Sequence, residues 1–188
     1  MRRCTWFLVA FVCAHLSAAK IDMRDERRAV GTDDGIRIDA ELTTDSVTPH
    51  MPIGVNYQVQ NLTQQAVAIA DKSCAASYDA DSATITLSIG MEIPQNGVMP
   101  HLTVIAPGAK RTFTTGASFT RPGMPHFVAI RVNLLRDPDA FRDITEHQRL
   151  SDAQFDRWID TNEAIELNVV PVRYQPPLLA RTNDASQR

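Results

Sequence analysis

At 188 residues, 44% apolar and 22% charged, the chain is long enough to fill one well-packed core. A formal charge of −3 with the signs interspersed gives no electrostatic footprint for nucleic acid, and no basic amphipathic stretch suggests adsorption to a membrane surface. With three cysteines, two of them within the first thirteen residues, a disulfide framework is not expected either.

Residues 1–19 read as a signal peptide. Arg2 and Arg3 supply the positive start, Trp6 to Cys13 the apolar stretch, and Ser17-Ala18-Ala19 the small residues for cleavage before Lys20. That apolar stretch is too short to cross a bilayer as a helix. Ala-Phe-Val before Cys13 is a poor lipidation box, and the arginine pair lacks twin-arginine context, so a general export route is expected. Removing residues 1–19 leaves 169 residues with a formal charge of −5 and Cys74 as the one remaining cysteine. That thiol is then buried, free or bonded to another chain. The mature protein is expected to be periplasmic or secreted, with no membrane span.

Lys20 to Gly35 is charged and aperiodic, and residues 20–35 read as a flexible polar leader. A period of two begins at Ile36: Ile36, Ile38, Ala40 and Leu42 alternate with polar residues, as in a strand with one dry face. Ile53, Val55, Tyr57 and Val59 repeat the pattern, and Asn61 to Gln65 reads as a hairpin connection to a strand at Val67 and Ile69. Asp71 to Ser82 is polar and turn-rich. Ile85, Leu87 and Ile89 form the next strand, Leu102 to Ile105 a short one, and Phe113 centres another. Val128, Ile130, Val132 and Leu134 make the strongest alternation.

The period changes after Leu135. Asp137-Pro138 reads as a helix start with proline at the first position, and Ser151 with Gln154 fits a capping box. Phe155, Trp158 and Ile159 fall on one helical stripe, so 136–162 reads as a helical insertion. Ile165, Leu167 and Val169 restore the strand period, and residues 176–188 read as a flexible tail.

The expectation is therefore a mostly β domain over 36–175: an antiparallel β-sandwich with a short helical insertion before the last strand. The segments PIGVNYQVQNLTQQAVAIAD (52–71), IAPGAKRTFT (105–114) and the strand at 127–135 resemble bacterial exported immunoglobulin-like or fibronectin-type β-sandwich domains. The resemblance implies fold only. Such domains serve adhesion, assembly, inhibition and carbohydrate attachment, and a shared architecture does not choose among them. No second cysteine is available for the inter-sheet disulfide of the antibody type.

Function rests on weaker signals. No G-x-S-x-G, G-x-x-x-x-G-K-[ST] or H-E-x-x-H motif occurs, so a non-enzymatic domain is expected, with no resident cofactor. Met99-Pro100-His101 and Met124-Pro125-His126, with His50-Met51, pair thioethers with imidazoles, the ligand chemistry of a soft metal such as copper. The plain alternative is methionine packed at a strand start with histidine in water. The stripe Phe155, Trp158 and Ile159, with Arg157, either covers a sheet of its own domain or meets a partner. Asn61-Leu62-Thr63 matches a glycosylation sequon. The leading expectation is an interaction or structural domain, an accessory of a cell-envelope assembly with another envelope or secreted protein as partner. A soft-metal (copper) protein, an inhibitor or a carbohydrate-binding module are the alternatives.

Overall fold

The computed structural model describes residues 25–120 and 123–176. The segment read as a signal peptide, the first part of the expected leader and nearly all of the expected tail lie outside the described residues. In chain order the strands are β1 (Arg28–Asp33), β2 (Ile36–Leu42), β3 (Ser46–Val47), β4 (Pro52–Asn61), β5 (Val67–Ile69), β6 (Cys74–Asp79) and β7 (Thr84–Ile89). There follow β8 (Thr103–Ile105), β9 (Lys110–Ser118), β10 (Phe127–Leu135), the helix α1 (Asp152–Thr161), β11 (Asn162–Glu166), β12 (Val170–Pro171) and β13 (Arg173–Tyr174). The chain is predominantly β.

Four strands form one sheet in the order β1-β2-β4-β9, every pair antiparallel. A larger, seven-stranded sheet runs β6-β7-β10-β5-β8, with β11 and β12 also on β10, and β13 pairs with β3 apart from both. The period-two positions do what their spacing predicts. Ile36, Ile38, Val55, Tyr57 and Val59 from the smaller sheet join Ile85, Leu87, Val128, Ile130 and Val132 from the larger in a single buried cluster. Alternate side chains of a strand leave on opposite faces, so each sheet contributes a continuous dry face to that interior.

Four expectations are corrected. Part of the supposed leader is β1, paired with β2 from Arg28↔Glu41 to Asp33↔Ile36. The Asp34-Gly35 turn between them has φ of 34° and 76°, the left-handed pair of a tight hairpin turn. The folded unit therefore starts before residue 36. Strand β5 is not the hairpin partner of β4: it lies in the other sheet, against β8 and the end of β10. The stretch read as turn-rich contains β6, an edge strand whose outward residues are Ala75, Ser77 and Asp79. Finally, β7 and β10 run parallel, from Thr84↔Phe127 to Ile89↔Val132, so the larger sheet is mixed. A parallel pair needs a crossover, supplied here by the passage through β8 and β9.

The helix precedes the last three strands rather than the last one. Its capping box forms as expected: Gln154 N–H donates to Ser151 Oγ at 3.4 Å and Ser151 N–H donates to Gln154 Oε1 at 2.8 Å.

Two buried asparagines hold the framework. Asn61 donates from Nδ2 to the carbonyls of Gln65 (2.7 Å) and Ile105 (3.0 Å), and its Oδ1 accepts from the N–H and hydroxyl of Thr63. It thereby fixes the chain where it crosses from one sheet to the other. The sequon amide is inside the protein and engaged. Asn133 donates to Ser88 Oγ and the Ile89 carbonyl, both at 3.1 Å. Beside it Gly90 has φ of 77°, and a Cβ there would lie 2.4 Å from the Asn133 carbonyl oxygen, so only glycine fits.

Candidate functional site

The inserted segment makes a lobe on the outer face of the larger sheet. A short amphipathic helix cannot be stable alone, and this one is not alone. Trp158 is 1% exposed and packs with Met99, Leu135, Phe141, Leu150 and Ala68 in a second hydrophobic cluster, separate from the interior between the sheets. Its ring meets Phe141 edge-on at 5.6 Å, and its indole N–H donates to the Glu92 carbonyl at 3.0 Å. Asn162 Nδ2 donates to the Met91 carbonyl, also at 3.0 Å. Backbone bonds close the other side: Met99 N–H donates to Gln148 O, His147 N–H to Met99 O and Leu150 N–H to Gly97 O, at 2.8–2.9 Å. The lobe is thus built from two segments, 91–102 and 136–161, that are far apart in sequence.

Between this lobe and β8 lies a groove of about 340 Å³. Met99, Leu102, Phe141 and Ile144 give it an apolar floor; His101, Arg142 and Glu146 line its rim. Among the described residues, strand β8 stands at the end of the larger sheet with β5 on one side only, and Val104, which lines the groove, is 49% exposed. An unpaired strand edge next to an apolar hollow is suited to receiving an extended chain. A larger cleft, about 640 Å³, runs between Asp25–Arg27, Thr43–Asp45 and Pro171–Arg173. Its walls are mostly polar, and Arg27 there is engaged with Asp25 and Glu41.

The Met/His set is not brought together. Met99 is buried in the lobe core beside Leu135, and His101 Nδ1 faces Asp71 Oδ1 at 3.3 Å. Met124 is 69% exposed, and His126 is exposed with its N–H donating to the Ala83 carbonyl. These two pairs flank opposite ends of β10, whose nine residues span roughly 25 Å. His50 and Met51 are exposed; the His50 N–H donates to Phe119 O, remote from the lobe. Among the described residues no group of three or more His, Cys, Asp or Glu is placed to hold a metal ion.

The proposed interface stripe divides. Trp158 and Phe155 turn inward onto the sheet of their own domain. Arg157 is exposed and pairs with Asp137 at 2.5 Å, and Ile159 stays in water at the surface. Cys74 is half-buried at the start of β6. Burial pushes its thiol above the ordinary value, and a hydrogen bond to Thr115 on β9 works in the opposite direction without cancelling it. A thiol held protonated in this way is a weak nucleophile.

What sequence reading missed is Asp71. This carboxylate, at the start of the stretch read only as polar and turn-rich, accepts from Thr103 Oγ1 at 2.9 Å as well as facing His101, and so fixes the chain entering β8. No family model matches the chain, and no curated protein is similar enough to count as its relative.

Proposed function

We propose that this chain is an exported, non-enzymatic interaction domain of the immunoglobulin-like β-sandwich kind, acting as an accessory of a cell-envelope assembly. Its partner docks in the groove between β8 and the inserted lobe. The observation that carries this reading is the unpaired β8 edge, with Val104 exposed, directly beside the floor of Met99 and Phe141. Two buried sheet faces make a rigid platform, and the lobe is tied to that platform on both sides. Sites on rigid elements need little ordering when a partner arrives, which favours binding. The order of charge, apolar stretch and small residues in 1–19 supports export.

A photo-crosslinking side chain placed at Val104, or at Ile144 across the groove, tests this in the native host. Both positions are expected to give the same adduct in the envelope fraction, and a position on the outer face of the smaller sheet, Gln58, is expected to give none. Adducts from Gln58 but not from the groove positions would overturn the reading.

A further inference from the structure

The lobe that walls the groove is acidic. Between Asp137 and Asp160 the chain carries seven carboxylates against three arginines and no lysine. Two of those arginines are already neutralised within the lobe, Arg142 by Asp139 at 2.6 Å and Arg157 by Asp137 at 2.5 Å. Glu146, on the groove rim, has among the described residues only the exposed His147 at 3.6 Å. Asp143, Asp152, Asp156 and Asp160 are exposed and meet no basic side chain within ion-pair distance among the described residues. Opposite Glu146, His101 turns one ring nitrogen to Asp71. Arg149, the third arginine, is exposed where the lobe pairs with Val98. Of the charges lining the groove, Asp139 and Arg142 neutralise each other, which leaves Glu146 as the free carboxylate beside the apolar floor of a lobe that is acidic as a whole.

The edge geometry restricts what can use that charge. A segment added to β8 advances about 3.3 Å per residue, and its alternate side chains point the same way. One such side chain can enter the hollow while those two residues before and after it lie over the rim, where Glu146 is. We propose that the groove takes an extended, lysine- or arginine-bearing segment of a partner protein by strand addition to β8. An aliphatic side chain fills the space above Met99, Leu102, Phe141 and Ile144, and a flanking basic side chain faces Glu146. This rests on the groove reading above and adds the partner's chemistry to it. Charge complementarity of this kind speeds encounter and rejects segments of the wrong sign.

The test uses the full chain, isotopically labelled, and two capped heptapeptides: Ser-Lys-Thr-Val-Thr-Lys-Ser and the same peptide with glutamate for both lysines. The lysine peptide is expected to shift the amide resonances of Val104, Ile105, Ile144 and Glu146. The glutamate peptide is expected to bind at least about tenfold more weakly. Raising salt from about 50 to 500 mM is expected to erode the lysine peptide's advantage, because rim charges are screened. Glu146→Gln, a surface change that leaves the fold intact, is expected to weaken the lysine peptide several-fold with an unchanged melting temperature. Equal binding of both peptides at the groove would overturn the charge preference while leaving the groove reading standing. Shifts confined to other surfaces, or no shifts with either peptide, would overturn strand addition. If in addition crosslinks at Val104 were absent, the groove reading itself would fall. Concentration-dependent shifts of the same amides without peptide would assign the edge to a second copy of this chain, and would also overturn the proposal.

Discussion

Trp158→Ala is expected to destabilise the protein by about 3–5 kcal/mol, the cost of emptying a large aromatic site in a packed core. Trp158 is the largest fully buried side chain and the centre of the lobe's hydrophobic cluster. Its removal takes away the edge contact with Phe141 and leaves the Glu92 carbonyl without its indole donor. Because the ten-residue helix has little stability of its own, the loss falls on the whole lobe rather than on one contact. The interior between the sheets is a separate cluster and is expected to stay packed. Denaturant unfolding followed by tryptophan-independent circular dichroism checks the magnitude. A loss below about 1 kcal/mol, the range of surface substitutions and minor repacking, would mean that the lobe does not depend on this side chain.

Asn61→Ala is expected to cost about 2–4 kcal/mol, because it takes the amide donor from the buried Ile105 carbonyl and the acceptor from Thr63, although the Gln65 carbonyl keeps the Thr63 hydroxyl. Asn61 is fully buried, and its amide uses both donors and its acceptor: Gln65 and Ile105 carbonyls on one side, Thr63 on the other. No solvent reaches the vacated carbonyl of Ile105 without opening the crossing between the sheets. Asn61→Asp is expected to be at least as damaging, since a buried carboxylate cannot donate to either carbonyl. Thermal and denaturant melts of the two variants measure this. Wild-type stability in both would show that the crossing is held by the backbone alone.

The strands were legible where their core-facing residues are large. Ile36 to Leu42, Ile53 to Val59 and Val128 to Leu134 announce themselves because every second position must leave water. Strand β1 was hidden for the converse reason: its core-facing positions are Ala29 and Gly31, small because β11 passes close by. A Cβ on Gly31 would come within 2.8 Å of the Glu166 carbonyl oxygen, so the apolar alternation that marks a strand has no room to appear. β6 was hidden in part by the same economy, with Ala76 and a half-buried Cys74 on its inner side and Tyr78 as the one large residue there. Sheet membership was not legible at all. Nearness in sequence suggested that β4 and β5 pair, whereas the four hydrogen bonds of Asn61 send the chain across to the other sheet.

The helix and its cap could be read directly, since capping and 3.6-residue spacing are local; which of its stripe faces inward could not, and Phe155 and Trp158 do while Ile159 does not. The groove could not be read. Its floor combines residues near 100 with residues near 141, joined by backbone bonds between Met99 and residues 147 and 148 that no local pattern encodes. Met99 and His101 did draw notice, as thioether and imidazole. Their chemistry is used otherwise: methionine as an adaptable filler under Trp158 and Phe141, histidine held by a carboxylate.

Everything proposed about recognition depends on β8 having a vacant side. Amide hydrogen exchange of the free protein measures that directly, because successive N–H groups of a strand alternate between its two neighbours. At least one amide within Thr103–Ile105 is predicted to exchange as fast as a surface loop, while those of Leu87 and Ile130, on β7 and β10 inside the same sheet, stay protected to the limit of global unfolding. Uniform protection of all three β8 amides, equal to that of β7 and β10, would mean that the edge is already covered, and would contradict the account.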